Sequence, residues 1–244
     1  MSLEIKKNKE LKLDVPEFIC DGGLAEHLEK HDTLKHLNRY TFDVLCGKPG
    51  SGKTSLMIGM LTGKKDKQIY RKVFNHVLVV MPRTSIQSMK KNVFKKHSEE
   101  KIFEELDLPT IETIYSKLVE ASNEDENTLL ILDDVGASLK NNDIQKIFRK
   151  IIYNRRHLKT KICILVQSFL SLPKEIRKLL NNIFMFKPSK VEFENLFDEL
   201  FETNKDLAMD IMNEGYENPH DWLMLNVDSQ RIYKNNGDEI IIKR

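Results

Sequence analysis

Residues 47–54 read Gly-Lys-Pro-Gly-Ser-Gly-Lys-Thr, directly after the apolar run 41–46 and directly before the apolar stretch 55–61. No other feature of the chain constrains its fold as strongly. A string of this kind needs a strand that delivers a tight backbone curl to the start of a helix. Gly47, Gly50 and Gly52 permit backbone angles that a Cβ resists, so successive N–H groups can face inward at phosphate oxygens. Together with Pro49, Ser51 and Ser55 they form a candidate phosphate-binding loop. Lys53 is placed to reach the β- and γ-phosphates, Thr54 to offer its hydroxyl to Mg²⁺, and the helix N-terminus adds partial positive charge. A turn built only for packing has no need of Lys-Thr after the last glycine. The expected ligand pair is therefore ATP with Mg²⁺, although the loop does not select the base.

The rest of the chain supplies the frame that such a loop requires. Short β-rich runs at 77–81, 129–133, 162–167 and 183–186 alternate with helical stretches opening at Gly52, around 85–96, at 108–121 and at 142–154. Near-continuous apolar strands between helices indicate a parallel sheet buried on both faces. The expected class is α/β, a RecA-like P-loop NTPase with a mainly parallel central sheet flanked by helices. One complete strand, 77–81, lies in sequence between the loop strand and the 129–133 strand. That is compatible with a RecA-like sheet in which an extra strand is inserted between those two. Residues 40–187 are the expected ATPase core and 1–39 an N-terminal extension with a helical stretch at 23–37. Residues 188–244 are expected to pack on the core. Val191, Leu196, Phe197, Leu200 and Phe201, then Leu207, Ala208, Ile211 and Met212, recur at helical spacing there. The runs 222–227 and 231–233 read as a hairpin, with a last run at 239–242 after Asn235-Asn236-Gly237.

Three further residues belong with the loop by position. The strand 128–133 ends in Asp133-Asp134, which brings two carboxylates to the C-terminal edge of a parallel sheet, where α/β proteins bind ligands. Asp133 is the expected Mg²⁺-side carboxylate and Asp134 the base that orients and deprotonates water. Gln167 ends the next apolar strand, so its amide is expected at the same edge, sensing γ-phosphate or holding the water.

Charge and composition narrow the partners. Lys and Arg number 39 against 37 Asp and Glu, a net charge of +2, which excludes a protein that coats nucleic acid by bulk charge. Any polyanion must be met locally, and the basic segments 90–96 and 146–161 are the candidates. Three scattered cysteines, Cys20, Cys46 and Cys163, have no framework spacing and suit a reducing compartment. The apolar runs 128–132 and 162–166 fall far short of the ~20 residues that span a bilayer, and the charged opening 1–10 is unlike a secretion signal. His27 and His31 stand at i, i+4, but no Cys or carboxylate completes a recognisable metal set, so they read as a solvated helix face.

The combination resembles the genome-packaging ATPases of poxviruses, giant viruses and virophages, a branch of the FtsK/HerA translocases. It rests on the loop, Met81-Pro82-Arg83-Thr84-Ser85, the run ending in Asp133-Asp134, Arg155-Arg156-His157 before Gln167, and Leu172-Pro173 with Arg177. The chain departs from the wider superfamily in carrying Asp134 where Glu is common, a shorter reach for a base. The resemblance implies a ring, a pentamer or hexamer, that hydrolyses ATP at subunit interfaces and drives double-stranded DNA into a capsid. A capsid or membrane-associated virion protein would be a further partner, and the setting would be the host-cell cytoplasm or the virion. It also implies that Arg156, at the sheet edge opposite the loop, acts in trans as an arginine finger, with Arg155 the other candidate. Two other readings compete. A nucleotide-dependent switch could lack its own finger, although the Asn-Lys-x-Asp of guanine switches is missing from Asn204-Lys205-Asp206-Leu207. A small-molecule kinase would want an Arg-rich lid, of which Arg155-Arg156 is the only hint.

Overall fold

The computed structural model describes residues 22–241, apart from 65–67, 88, 90–92, 96, 203 and 236. Cys20, the 1–10 stretch, Ile242 and most of the basic 90–96 segment lie outside the described residues. In chain order the elements are α1 (Glu26–Glu29), β1 (Phe42–Cys46), α2 (Lys53–Thr62), β2 (His76–Val80), α3 (Arg83–Gln87), β3 (Ile102–Phe103) and α4 (Leu108–Asn123). There follow β4 (Thr128–Asp133), α5 (Asn142–Asn154), β5 (Thr160–Val166), α6 (Lys174–Arg177), β6 (Asn182–Phe186), α7 (Lys190–Phe201) and α8 (Lys205–Gly215). The chain closes with β7 (Trp222–Asn226), β8 (Arg231–Lys234) and β9 (Asp238–Glu239).

The strands make one sheet in the order β3-β2-β4-β5-β1-β6-β7-β8-β9. Pairing is parallel from β3 through β6 and antiparallel beyond it. Strands β1, β4, β5 and β6 are buried throughout, as their apolar runs require. Alternate residues of each strand divide into two cores, one per face. Val44, Leu130, Leu132, Ile164 and Val166 meet α4, α5 and α7 on one face, and Leu45, Leu129, Ile131 and Leu165 meet Met57 and Met60 of α2 on the other.

Local chemistry starts the longer helices. Asp107 accepts from Thr110 N at 2.8 Å to open α4, Asn141 from Asp143 N at 2.9 Å to open α5, and Asn204 from Leu207 N at 2.9 Å to open α8. Asn204 therefore serves as a helix cap.

The sequence reading leaves the order of the strands open, and two further features depart from it. The strand standing between the loop strand β1 and the acidic strand β4 is β5, which follows both in sequence, whereas the 77–81 run forms β2 on the far side of β4. The C-terminal hairpin extends the main sheet, because β7 pairs antiparallel with β6 from Phe186↔Trp222 to Asn182↔Asn226. The 23–37 stretch is broken into α1 and a 3₁₀ turn at Leu34–Leu37. There Asn38 Oδ1 accepts from Ala25 N at 2.7 Å and Asn38 O from Leu24 N at 3.0 Å, a closure that folds the segment back and buries Leu28 and Leu37. His27 Nε2 is 2.9 Å from Ile69 O and His36 Nε2 is 3.0 Å from Tyr233 Oη, so of His27, His31 and His36 in this stretch the first and last face protein rather than solvent. Among the described residues no cluster of three or more His, Cys, Asp or Glu side chains could hold a metal, and no helix is long and apolar enough to cross a membrane.

Candidate nucleotide-binding site

The loop after β1 is built as its glycines demand. Gly47 N donates to Val166 O at 3.2 Å, which carries the β1–β5 pairing one residue past the strand. The backbone then turns through Gly50 at φ +76° and Gly52 at φ +113°, values that suit glycine, and α2 begins at Lys53. A Cβ on Gly47 would stand 2.7 Å from both Phe186 Cβ and Ser51 Oγ, so that position is closed to any larger residue. Lys53 Nζ donates to Gly47 O at 2.6 Å and Lys48 O at 3.2 Å, lying across the curl of its own loop. Burial pulls its ammonium below the usual lysine range, while Asp133, Cys46 and Asp134 oppose the fall. Ser51 Oγ is buried in the loop with no hydrogen-bond partner among the described residues, a polar atom that a phosphate oxygen would satisfy. Thr54 is half-buried in the first turn of α2, with Ser55 exposed beside it. Loop, lysine and hydroxyl together fit a nucleotide phosphate chain.

Register brings the other candidates to the same edge. Asp133 pairs with Leu165 across β4–β5, and Cys46 with Val166 across β1–β5. Gln167, one residue past Val166, therefore stands exposed between the loop and the two acids. Asp133 is 9% exposed, and burial raises its carboxyl to about 6, with Lys53 pulling it down and Asp134 adding to the rise. Asp134 is exposed, at φ +57°, and its N–H is tied to Leu165 O at 3.1 Å. Turning into the left-handed region straight after the strand sends the second acid off the sheet edge. The two carboxylates thus have opposite surroundings, one desolvated and one in water.

The two arginines lie at the other end of the sheet. Arg155 Nε donates to Tyr40 O at 2.9 Å, NH1 to Ile152 O at 2.9 Å and NH2 to Asn181 Oδ1 at 3.1 Å. It joins the end of α5 to the start of β1, and its donors are committed to the fold. Arg156 lines a cavity of about 430 Å³ at that edge with Arg39, Tyr40, Asn181 and Asp228. The basic segment 146–161 is less exposed than its charges suggest. Lys161 is fully buried against Asp43, Lys150 lies 4.4 Å over the Tyr115 ring, and Lys159 pairs with Asp125. Lys161 is thereby removed from any DNA-facing surface.

Two residues at the loop escaped the sequence reading. His220, at φ +70° in the turn before β7, sets Nδ1 2.9 Å from Ser51 O. The turn is held by Asp221 Oδ2, which accepts from Glu217 N at 3.0 Å and Asn218 N at 2.7 Å. Glu192, in the first turn of α7, reaches the residues just past Gln167. Asn-Pro before His220 signals a turn, but nothing in one sequence says that this turn docks 169 residues back in the chain.

Residues 29–236 match the family model of the poxvirus A32 protein. Comparison with curated proteins finds no match. Among solved structures, the genome packaging NTPase B204 from Sulfolobus turreted icosahedral virus 2, in complex with ATP-gammaS, superposes with TM-score 0.59 at 15% identity, covering 82% of this chain and 98% of that one. B204, the DNA-packaging ATPase from Sulfolobus turreted icosahedral virus, gives TM-score 0.58 at 15% identity, covering 81% and 97%. At such identity the likeness establishes the fold: a mainly parallel P-loop NTPase sheet flanked by helices.

Proposed function

The chain belongs to the poxvirus A32 protein family, and from that premise we propose that it is an ATP-driven translocase that packages viral double-stranded DNA into a capsid. One observation carries the reading: the Gly47–Thr54 loop, Asp133-Asp134 and Gln167 converge on one sheet edge, with β5 setting Gln167 between the other two. Hydrolysis needs those three groups together, whereas phosphate binding alone needs only the first.

In this reading the loop's N–H groups hold the phosphate chain, and Lys53 leaves the Gly47 and Lys48 carbonyls for the β- and γ-phosphate oxygens. Thr54 and Asp133 would hold Mg²⁺, which supplies neutralising charge at the same oxygens. Asp134 takes the proton of the attacking water, which can reach it because the residue stands exposed past the end of β4. Gln167 orients that water. Arg156, at the opposite edge, is beyond reach of its own loop and serves a neighbour's nucleotide in a pentameric or hexameric ring. Packaging as the task of the ring comes to this chain by family and by the likeness to B204, which is described as a genome-packaging enzyme. A capsid or membrane-associated virion protein as docking partner, and the host cytoplasm or the virion as setting, follow from that task.

The test is phosphate release with and without double-stranded DNA across a salt series. DNA should stimulate the wild type at low salt and lose its effect steeply as salt rises, since backbone contacts release counterions. Lys53→Ala should lose both nucleotide binding and turnover. Asp134→Asn should keep nucleotide affinity and lose turnover by about 10²-fold or more, as removal of a base acts on the chemical step. A rate indifferent to DNA at low salt would sink the motor in favour of a switch.

A further inference from the structure

Helix α7 opens with Ser189-x-x-Glu192, the pattern of a capping box. Ser189 Oγ accepts from Glu192 N at 3.2 Å as such a box requires. In a box of this type the carboxylate of the fourth residue returns to the N–H of the first. The Glu192 carboxylate runs sideways to other elements. Its Oε1 accepts from Phe169 N at 2.5 Å and Ser168 Oγ at 2.7 Å, and Cys46 Sγ donates to it from 3.8 Å. Cys46 stays a protonated donor, because burial and then the Glu192 charge push its thiol well above the usual range.

The positions of those three partners matter. Ser168 directly follows Gln167, and Cys46 directly precedes Gly47, the first residue of the phosphate loop. One carboxylate oxygen therefore joins the turn after Gln167 to the strand that carries the loop. A second tether lies two turns further along the helix. Arg177 reaches Glu199 with Nε at 3.2 Å from Oε1 and NH2 at 2.7 Å from Oε2, while NH1 donates to Leu172 O at 2.9 Å. The guanidinium also lies 5.0 Å over the Phe169 ring. Residues 168–177 are thus held at both ends against one helix by charge-assisted bonds, which are stronger than neutral ones.

We propose that Glu192 is a positioning residue for Gln167. It holds the turn that sets where the Gln167 amide stands relative to the phosphate loop, and so makes the water-orienting geometry depend on α7. The inference rests on the role given to Gln167 above. It also makes α7, outside the P-loop core, a point at which movement of the C-terminal segment alters turnover without touching nucleotide.

A mutant cycle tests it. Phosphate release and the affinity of a fluorescent ATP analogue are measured for the wild type, Glu192→Ala, Gln167→Ala and the double variant, with thermal melting as the folding control. Glu192→Ala should lower kcat by about 10–100-fold, the scale of a displacement near 1 Å, with nucleotide affinity held within about threefold. The double variant should be no slower than Gln167→Ala alone, because the two act through one group. Glu192→Gln, which keeps an acceptor for Phe169 N, should show a smaller loss absorbed in the same way, and it decides the matter if Glu192→Ala does not fold. Unchanged kcat, a loss that appears in affinity, or losses that multiply in the double variant overturn the proposal and leave the ATPase reading standing. A wild type without hydrolysis overturns both.

Discussion

At the residue scale the most informative group is Asp133, because burial at the end of β4 sets its ionised carboxylate against the stability of the fold. Its carboxyl rises from 3.8 to about 6, chiefly through burial. Between those values the folded chain keeps a proton that the unfolded chain has released. Stability is therefore lost as pH rises through the window, and the whole cost is present above it. A rise of that size corresponds to about 3 kcal/mol. Asp133→Asn should raise the melting temperature at pH 8, without nucleotide or metal, and leave it nearly unchanged at pH 3. Equal melting of the two proteins at pH 8 would mean that the carboxylate is solvated or neutralised. Arg155 and Arg156, adjacent in sequence, part company on the same scale. The three bonds of Arg155 tie α5 to β1 and Asn181, while Arg156 stands exposed beside the cavity at that edge.

At the scale of elements, β5 holds the site together. It separates β1 from β4 and is buried along its whole length, yet its second residue is Lys161. Lys161 Nζ lies 2.7 Å from Asp43 Oδ2 on β1, a charge contact rather than an aligned hydrogen bond, and it donates to Thr41 Oγ1. Asn182 Nδ2 donates to Asp43 Oδ1 at 2.8 Å, and Asn226 Nδ2 to Asn182 Oδ1 at 2.7 Å, so the polar chain crosses β5, β1, β6 and β7. Such a row fixes register, and a slip of one residue in β5 would exchange the faces of the sheet. Lys161→Met should cost about 3–5 kcal/mol in urea unfolding, because Asp43 is left buried without its cationic partner. Adding Asp43→Asn should restore most of the loss, since the amide can keep the Asn182 bond. Simply additive effects would show that the pair is not coupled.

For the whole molecule the decisive feature is distance between edges. The loop, the acids and Gln167 occupy the C-terminal edge of the parallel strands, and Arg156 the N-terminal edge where β5 begins. In the proposed ring, an interface that sets one subunit's N-terminal edge against its neighbour's loop completes the site. Arg156→Ala and Lys53→Ala subunits, each inactive alone, should regain partial hydrolysis when co-assembled, because some interfaces then pair an intact loop with an intact arginine. Verified mixed rings with no recovery, or an Arg156→Ala protein of normal rate, would remove Arg156 from the reaction.

The loop was legible because its chemistry is local: glycines, lysine and threonine at fixed spacing between a strand and a helix say what they do wherever they occur. The shared position of Asp133, Asp134 and Gln167 was legible because a parallel strand presents its C-terminal residues at one edge, whatever its place in the sheet. Strand order was not legible, since an apolar run buried on both faces fits any interior position, and only tertiary pairing put β5 between β1 and β4. Nor could sequence tell a basic surface from a buried ion pair in 146–161, because a lysine reads alike whether Asp43 or water receives it. His220 and Glu192 meet the loop and its neighbours across 169 and 23 residues or more, through turns and helix faces whose docking is settled by packing. Periodicity along the chain holds no record of such contacts.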